Sequence, residues 1–374
     1  MRLIAKHCLT GKTAAFRFEG ERVSILPARL TKAEYLFGPA WTDLQCNGFA
    51  GVDFNHPDVS PVDVCRAVRA MWRTGCATVL PTIITSAPER IESLFRLLVK
   101  ALEIDPAVRE SVPGFHLEGP FISAVDGARG AHPARHCRIP DRRLWRRWQK
   151  AAGGLIRMVT LAPELPRAFP FISRIASEGV VVAIGHTMAG IREIQHAAEA
   201  GARLSTHLGN GCPQSLPRHE NPILAQLGED RLAATFIPDG IHLPAHVLRS
   251  FVRAKTPARS LIVTDAMAAA GALPGRYTLA GQVVEVGPDR IVRQPGQPNF
   301  AGSALVMNEA VVHYGKFTGE SLAESWIAAS TRPDSVIAHR SNATVIARFA
   351  NGELTPVALI RKRRVLWAAE SDGE

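Results

Sequence analysis

The run Leu261-Ile-Val-Thr-Asp265-Ala-Met267 is a short apolar segment that ends on a carboxylate. Four other short apolar segments also end on an acidic residue or a histidine. They are Gly114-Phe-His-Leu-Glu118, Val181-Val-Ala-Ile-Gly-His186, Leu204-Ser-Thr-His207 and Ala233-Ala-Thr-Phe-Ile-Pro-Asp239-Gly-Ile-His242. Short β-branched or apolar runs are typical of buried parallel strands. In parallel barrels the reacting groups sit at the carboxyl ends of the strands. One glutamate, two histidines and a late aspartate at four strand ends therefore indicate a metal-dependent hydrolase.

Eight strand candidates run through the middle of the chain, and helical patterns lie between most of them. The strands are predicted at Trp41–Cys46, Thr78–Ile84, Gly114–Glu118, Arg157–Leu161, Val180–His186, Arg203–His207, Ala233–Pro238 and Leu261–Asp265. Ser60-Pro61 opens one helix with a polar cap and a proline in the first turn, and Gly201 closes another. Eight alternating units predict an α/β fold of the (β/α)8 TIM-barrel type.

Both ends of the chain have a different pattern. Short alternating runs at 14–26 and 344–361, with turn residues at Gly20 and Asn351-Gly352, are typical of β-hairpins. We therefore predict one small β domain built from both termini: residues 1–40 give its N-terminal part, 41–345 form the barrel, and 346–374 give its C-terminal part. The segment 276–286 is a predicted β insertion after the eighth strand.

Composition narrows the class of protein. The chain has 374 residues and a net charge of +10 from 44 basic and 34 acidic side chains. This charge fits an anionic small molecule or nucleic acid, but no nucleic-acid motif accompanies the arginine clusters, so we expect no nucleic-acid partner. Its six cysteines are scattered, which favours reduced thiols. No apolar run is long enough to cross a membrane and no signal peptide is evident, so we expect a cytoplasmic protein.

Glu118, His186 and His207 provide one oxygen and two nitrogen donors, the set expected of a catalytic metal that keeps a position open for water. Zinc is the first expectation, and iron, cobalt and manganese accept the same donors. Asp265 on the last strand is the predicted general base, which would take a proton from the activated water and pass it to the leaving amine. An N-cap role for Asp265 is the structural alternative.

The first strand carries Gln45-Cys-Asn47 where many barrel hydrolases carry His-x-His. Because amides are poor zinc ligands, this favours one divalent metal per subunit. Gln45 is predicted to orient the water or to fill the vacant position, and a place in a polar core layer is an equal alternative. Asn210-Gly211, Arg218, His242 and His132 are candidate substrate contacts, with Arg218 suited to a phosphate.

Eight short motifs, in this order, resemble the N-acetylglucosamine-6-phosphate deacetylase family of the amidohydrolase superfamily. They are His-Leu-Glu-Gly-Pro-Phe (116–121), Gly-Ala-His (130–132), Thr-Leu-Ala-Pro-Glu (160–164), Gly-His-Thr (185–187), Thr-His-Leu-x-Asn (206–210), Asp-Gly-x-His (239–242), Thr-Asp-Ala-Met (264–267) and Ala-Gly-Ser-Ala-Leu (301–305). The resemblance covers residues 41 to 345.

This resemblance implies a barrel with a small β-sandwich, metal ligands at Glu118, His186 and His207, and catalysis by Asp265. It further implies substrate contacts at Ala131, Asn210, Gly211, Arg218, His242 and the run Phe300-Ala301-Gly302. In the family the counterpart of Arg218 reaches the phosphate of the neighbouring subunit, so a homodimer is implied. The implied partner is a small amino-sugar phosphate.

The chain departs from the family pattern at its phosphate end, where Asn210-Gly211-Cys212 replaces the usual Asn-Ala-Met. The first hypothesis is hydrolysis of the acetamide of N-acetylglucosamine-6-phosphate. The alternative keeps the metal site but takes an unphosphorylated or different N-acyl amino sugar. A cyclic-amide hydrolase or deaminase is disfavoured because His-x-His is missing, and a non-catalytic nucleic-acid-binding barrel is disfavoured by the metal-type cluster.

Overall fold

The computed structural model describes residues 1–28, 33–295 and 300–369. Its strands are β1 (Arg2–His7), β2 (Thr13–Glu19), β3 (Arg22–Pro27), β4 (Tyr35–Pro39), β5 (Trp41–Cys46), β6 (Gly48–Phe49), β7 (Val52–Asp53), β8 (Cys76–Ile84), β9 (Phe115–Glu118), β10 (Ile156–Leu161), β11 (Val181–Ile184), β12 (Leu204–Ser205), β13 (Ala233–Phe236), β14 (Ser260–Ile262), β15 (Gly275–Leu279), β16 (Gln282–Val286), β17 (Val292–Arg293), β18 (Ala343–Ala350), β19 (Glu353–Arg361) and β20 (Arg364–Ala368).

Helices connect the strands of the barrel. They are α1 (Pro61–Met71), α2 (Pro88–Ile104), α3 (Pro106–Ser111), α4 (Arg142–Ala151), α5 (Ala168–Ser177), α6 (Ile191–Ala200), α7 (Pro222–Gly228), α8 (Ala245–Lys255), α9 (Met307–Thr318), α10 (Leu322–Ala329) and α11 (Thr331–Val336). The cap predicted at Ser60 is confirmed, because its side chain accepts the Asp63 N–H in a capping box. Gly201 ends α6 with φ of 118°.

Eight parallel strands form the predicted barrel, in the order β5, β8, β9, β10, β11, β12, β13 and β14. The last and first strands meet through a parallel bridge between Cys46 and Ala266. All eight predicted strands are present, but β11, β12 and β13 stop two residues earlier than predicted and β14 stops three residues earlier. For β11, β12 and β14 the reason is the backbone of the polar residues that follow them, which is described below. The (β/α)8 prediction is confirmed.

A small β domain is made from both ends of the chain, as predicted. Seven strands close on themselves in the order β1, β2, β3, β20, β19, β18 and β4. The tight turn between β18 and β19 has positive φ at both Asn351 and Gly352, 54° and 78°, which explains why this pair occurs there. The boundaries drawn at 40/41 and 345/346 stay a prediction, and residues 370–374 of the C-terminal part lie outside the described residues.

The predicted insertion after the last barrel strand is a three-stranded antiparallel sheet of β15, β16 and β17. It packs against the carboxyl end of the barrel through a separate apolar cluster that includes Ile84, Met267, Leu279 and Val284. The insertion therefore forms part of the wall around the mouth of the barrel, where the candidate site lies.

Helix α4 carries the arginine cluster of the sequence analysis. Trp145 and Trp148, which alternate with these arginines, are 2% and 0% exposed. Neither indole is therefore available to stack on a nucleic-acid base. In the described ranges, no helix combines the length and the apolar character needed to span a bilayer.

Candidate active site and metal centre

Three side chains from three barrel strands converge at the carboxyl end of the barrel. Oε1 of Glu118 lies 3.2 Å from Nε2 of His186 and 3.0 Å from Nε2 of His207. All three residues are buried. Their donor atoms lie within 4.8 Å of one another, and this is the only such group of acidic, histidine or cysteine side chains in the described ranges.

The backbone bends sharply at the polar residues that end three of the strands. His186, His207 and Asp265 have φ of 52°, 29° and 49°. This left-handed region is uncommon for residues other than glycine, and such outliers cluster at functional sites. The bend ends each strand, and the side chain of the polar residue at the bend points across the barrel mouth. It also explains why the strands are shorter than the apolar runs suggest.

A backbone carbonyl fixes the orientation of His186. Its Nδ1 lies 2.9 Å from the carbonyl oxygen of Ala128, an acceptor, so Nδ1 carries the proton and Nε2 presents its lone pair to the centre. Such a bond from the far ring nitrogen is typical of metal-binding histidines. His207 is held through its backbone N–H, which donates to Thr235 Oγ1 at 2.7 Å. Among the described residues, Nδ1 of His207 has no hydrogen-bond partner.

The donor set fits a divalent metal. Ligand atoms at about 2.1 Å from a tetrahedral zinc lie about 3.4 Å apart, close to the separations of 3.2 and 3.0 Å found here. Burial alone would raise the pKa of Glu118, but the two imidazoles beside its Oε1 hold this pKa well below its usual value. An ionised carboxylate facing two imidazole nitrogens is an arrangement that a cation completes.

Asp265 lies beside the three-residue group and is held by two amides. Gln45 Nε2 donates to its Oδ1 at 3.0 Å, and Asn47 Nδ2 donates to the same oxygen at 2.7 Å. Gln45 Nε2 also donates to Oε1 of Glu118 at 2.9 Å, so it links the two carboxylates. Burial, followed by the charge of Glu118, raises the pKa of Asp265 to about 6. The alternative of a helix N-cap fails, because no helix begins at Asp265.

A cavity of about 260 Å³ opens over this group. Of the predicted substrate contacts, seven line it: Ala131, His132, Asn210, Gly211, His242, Phe300 and Gly302. Ala301 is buried behind the cavity wall, and Gln45 is fully buried beneath it. Arg218 is exposed and does not line the cavity of the single chain.

Two further histidines of the cavity wall are oriented by nearby polar groups. The rings of His132 and His186 are 4.3 Å apart, and Nδ1 of His132 lies 2.7 Å from Thr85 Oγ1. Burial lowers the pKa of His132 to about 3, so this ring is neutral. His242 bonds through Nδ1 to Oδ2 of Asp239 at 2.6 Å. The Asp-Gly-x-His spacing therefore makes a carboxylate–histidine pair that keeps Nε2 of His242 free.

Comparisons with known proteins show the family. No protein-family model matches the chain. It is 33% identical over 291 residues to the N-acetylglucosamine-6-phosphate deacetylase of Bacillus subtilis, covering 76% of this chain and 71% of the relative. It is 35% identical over 313 residues to the human N-acetylglucosamine-6-phosphate deacetylase, covering 80% and 73%. The chain belongs to the N-acetylglucosamine-6-phosphate deacetylase family.

A solved structure of this family has the same fold. The N-acetyl-D-glucosamine-6-phosphate deacetylase of Mycobacterium smegmatis, an aspartate-to-alanine mutant in complex with N-acetyl-D-glucosamine-6-phosphate, superposes with a TM-score of 0.84. It is 25% identical to this chain, and the match covers 98% of this chain and 99% of the other. Membership of this family makes the protein an amidohydrolase-superfamily hydrolase that acts on a linear amide, as predicted.

Several residues of this deacetylase-family site were not found from the sequence. Gly127, Cys212, Gln214 and Leu279 line the cavity but belong to loops and to the insertion. Glu164 accepts the backbone N–H of Met188 at 2.7 Å and the hydroxyl of Thr187, and so holds the turn that follows His186. The sequence did carry a signal for Glu164, because it follows a predicted strand and ends the family motif at 160–164. The sequence analysis assigned no role to this residue.

Proposed function

We propose that this protein hydrolyses the acetamide of N-acetylglucosamine-6-phosphate to glucosamine-6-phosphate and acetate. Its family membership supports the substrate class. The observation that carries the proposal is the buried convergence of Glu118, His186 and His207, with Asp265 linked to the same group through Gln45. The family includes the N-acetylglucosamine-6-phosphate deacetylases of B. subtilis and human.

One divalent metal per subunit, first zinc and otherwise iron, cobalt or manganese, is proposed to bind to Glu118, His186 and His207. When bound, such a cation polarises the acetamide carbonyl and lowers the pKa of a water molecule toward neutrality. Gln45 and Asn47 stand where a second metal would need imidazoles. Their amide N–H groups already donate to Asp265, and amides are poor zinc ligands, so a single metal is the better fit.

Asp265 is the proposed catalytic carboxylate. Both amide bonds reach its Oδ1, which leaves Oδ2 as the oxygen that we assign to proton transfer. This oxygen would take a proton from the attacking water and then give it to the nitrogen of the departing amine. Two rigid amide contacts hold the carboxylate in place through both steps, because Gln45 and Asn47 are themselves buried.

The sugar is proposed to lie in the cavity between the remaining predicted contacts. Burial would raise the pKa of Asp239, but the hydrogen bond and charge of His242 bring this pKa below its usual value. The ionised Asp239 orients His242 so that Nε2 can bond a polar group of the substrate. His132, Asn210 and Gly211 offer further polar groups. Ala131 and the run 300–302 complete the predicted contact set.

Arg218 is proposed to reach the phosphate in the site of a neighbouring subunit. Its exposure outside the cavity of its own chain supports this, because a trans contact needs an accessible side chain. The proposal requires a homodimer. The cytoplasmic location expected from the sequence stays a prediction.

Deacetylation of an unphosphorylated or different N-acyl amino sugar is the second candidate function. One observation favours it: Gly211-Cys212 replaces the usual residues at the phosphate end. The metal centre and Asp265 would serve both substrates equally.

Metal removal and return test the proposed function. Protein stripped with a chelator should release no acetate from N-acetylglucosamine-6-phosphate, and stepwise zinc should restore the rate with a break at one equivalent per chain. A break at two equivalents would contradict the single-metal centre. Full activity in metal-free protein would contradict the metal-dependent function itself.

A further inference from the structure

A second cavity of about 530 Å³ opens beside the catalytic cavity. The two cavities share a wall made of Gly127, Gly130, Ala131, His132 and Gln214. We name the second cavity the polar annex and define it by the side chains on its far wall, Asp126, Arg129, Arg135, Gln282 and Gln294. A ligand bound against His132 and Ala131 therefore lies next to the annex.

The far wall of the annex is polar and carries a net positive charge. It has two arginines and one aspartate, so its formal charge is +1. Gln282 and Gln294 bond to each other, with Gln294 Nε2 donating to Gln282 Oε1 at 2.8 Å. This bond leaves the amide nitrogen of Gln282 and the amide oxygen of Gln294 for other partners. Such a wall suits a hydroxyl-rich or anionic ligand.

The two arginines have different surroundings. Arg129 is paired with Asp126 at 2.6 Å and donates to the carbonyl oxygens of Gly130 and His132, so it is part of the wall. Arg135 is exposed, and its Nε donates to His136 Nε2 at 3.3 Å. None of the salt bridges in the described ranges involves Arg135. Arg135 is therefore the cation that can bind a ligand.

The catalytic cavity alone is small. Its 260 Å³ lies below the range of about 300 to 1,000 Å³ typical of pockets for drug-sized ligands, whereas the annex lies within that range. We infer that the annex is an anion-recognition subsite of the substrate and that Arg135 determines its specificity. This inference rests on the proposed function, because the anion must belong to an amino sugar whose acetamide faces Asp265.

Two groups on an amino sugar offer the required anionic oxygens. One is the 6-phosphate, which Arg135 would then bind from its own chain in addition to the contact proposed for Arg218 of the neighbouring subunit. The other is a carboxylate on a different substituent, such as a lactyl ether at O3. A guanidinium binds either group through two parallel N–H bonds. The two possibilities can be separated by removing Arg135. If the anion is the phosphate, kcat/KM falls on the 6-phosphate, and if it is the carboxylate, kcat/KM falls on the lactyl ether.

The experiment compares kcat/KM of the metal-loaded wild-type protein and Arg135→Ala on three compounds. They are N-acetylglucosamine, its 6-phosphate and its 3-O-lactyl ether. We expect Arg135→Ala to lose about 10- to 100-fold on one anionic sugar, the range of a charge-assisted hydrogen bond, and to keep its rate on the neutral sugar. Loss on the 6-phosphate identifies the phosphate as the anion, and loss on the lactyl ether identifies a carboxylate.

Arg138→Ala is the matched control, because Arg138 lies three residues away and lines neither cavity. Arg135→Lys keeps the charge without the planar fork and should recover part of the loss. An active Arg135→Ala protein with the wild-type preference, or with equal losses on all three sugars, overturns the subsite. A wild-type protein inactive on all three compounds refutes the proposed function instead. Calorimetric binding of the same sugars to wild type and Arg135→Ala then decides the subsite independently.

Discussion

At the scale of single residues, the site depends on backbone strain that the sequence does not reveal. His186, His207 and Asp265 adopt positive φ, and each follows an apolar run that suggests a strand continuing through it. Residue type and position at the strand end were enough to predict these three residues and Glu118. The role of Gln45 was open between a water contact and a polar core layer and stays a prediction, and its Nε2 donates to both Glu118 and Asp265.

Replacement of Asp265 tests the proton-transfer role. Asp265→Asn keeps a hydrogen-bonding side chain of the same size but cannot accept the proton, so we expect kcat to fall by about 10²- to 10⁴-fold. The variant should retain its metal, since the three proposed ligands are unchanged. Steady-state kinetics together with metal analysis checks this. Wild-type turnover in the variant would refute the role.

Replacement of His207 tests the metal centre. His207→Ala removes one of three donors, so we expect the purified protein to contain well under one metal per chain and to have no measurable activity. His219→Ala is the control, because His219 is an exposed histidine of the same chain that does not line the cavity. Elemental analysis of both variants makes the comparison. An unchanged metal content in His207→Ala would contradict the assignment.

At the scale of elements, the strands and the loops that follow them were not equally predictable. The eight barrel strands are buried on both sides and read as apolar runs, so their existence was evident. The loop residues that complete the site come from distant segments. The carbonyl of Ala128 orients His186, and Leu279 of the insertion forms part of the cavity wall. No local pattern shows where a loop carbonyl or an inserted strand will pack, so these contacts needed the structure.

The turn after His186 gives a prediction at this scale. Glu164, after β10, accepts bonds from Thr187 and Met188 after β11 and ties the two loops together. Because His186 has a strained backbone, we expect Glu164→Ala to release the turn and weaken metal affinity by about 10- to 100-fold, as loss of outer-shell contacts typically does. Activity at saturating metal should largely recover.

Glu199→Ala is the control for this variant, because Glu199 is exposed on α6. Glu164→Gln keeps one acceptor and should lie between the wild-type protein and Glu164→Ala. Competition with a zinc-binding indicator dye measures the affinities. An unaltered metal affinity in Glu164→Ala would contradict the role of Glu164 in positioning His186.

At the scale of the whole molecule, the barrel and the terminal β domain were both predictable, because repeated strand–helix units and paired hairpins leave clear patterns. The assembly was not predictable from physical pattern alone. Arg218 lies outside the cavity of its own chain. The homodimer stays a prediction that rests on the family resemblance and on the proposed trans contact.

Co-expression of two impaired variants tests this assembly. If Arg218 acts across a dimer, Arg218→Ala and Asp265→Asn are each impaired, but a mixed dimer has one site with both residues intact. We expect a dimer by light scattering, and activity well above either parent after co-expression. A monomeric protein, or co-expressed variants no more active than the parents, would contradict the trans contact.

The most direct test of the central claim is acetate release by zinc-loaded wild-type protein from N-acetylglucosamine-6-phosphate beside N-acetylglucosamine. The account predicts release from the phosphorylated sugar with a much higher kcat/KM than from the neutral sugar. Release from the neutral sugar alone would keep the metal centre and Asp265 but contradict the proposed substrate. Release from neither would contradict the proposed deacetylase function.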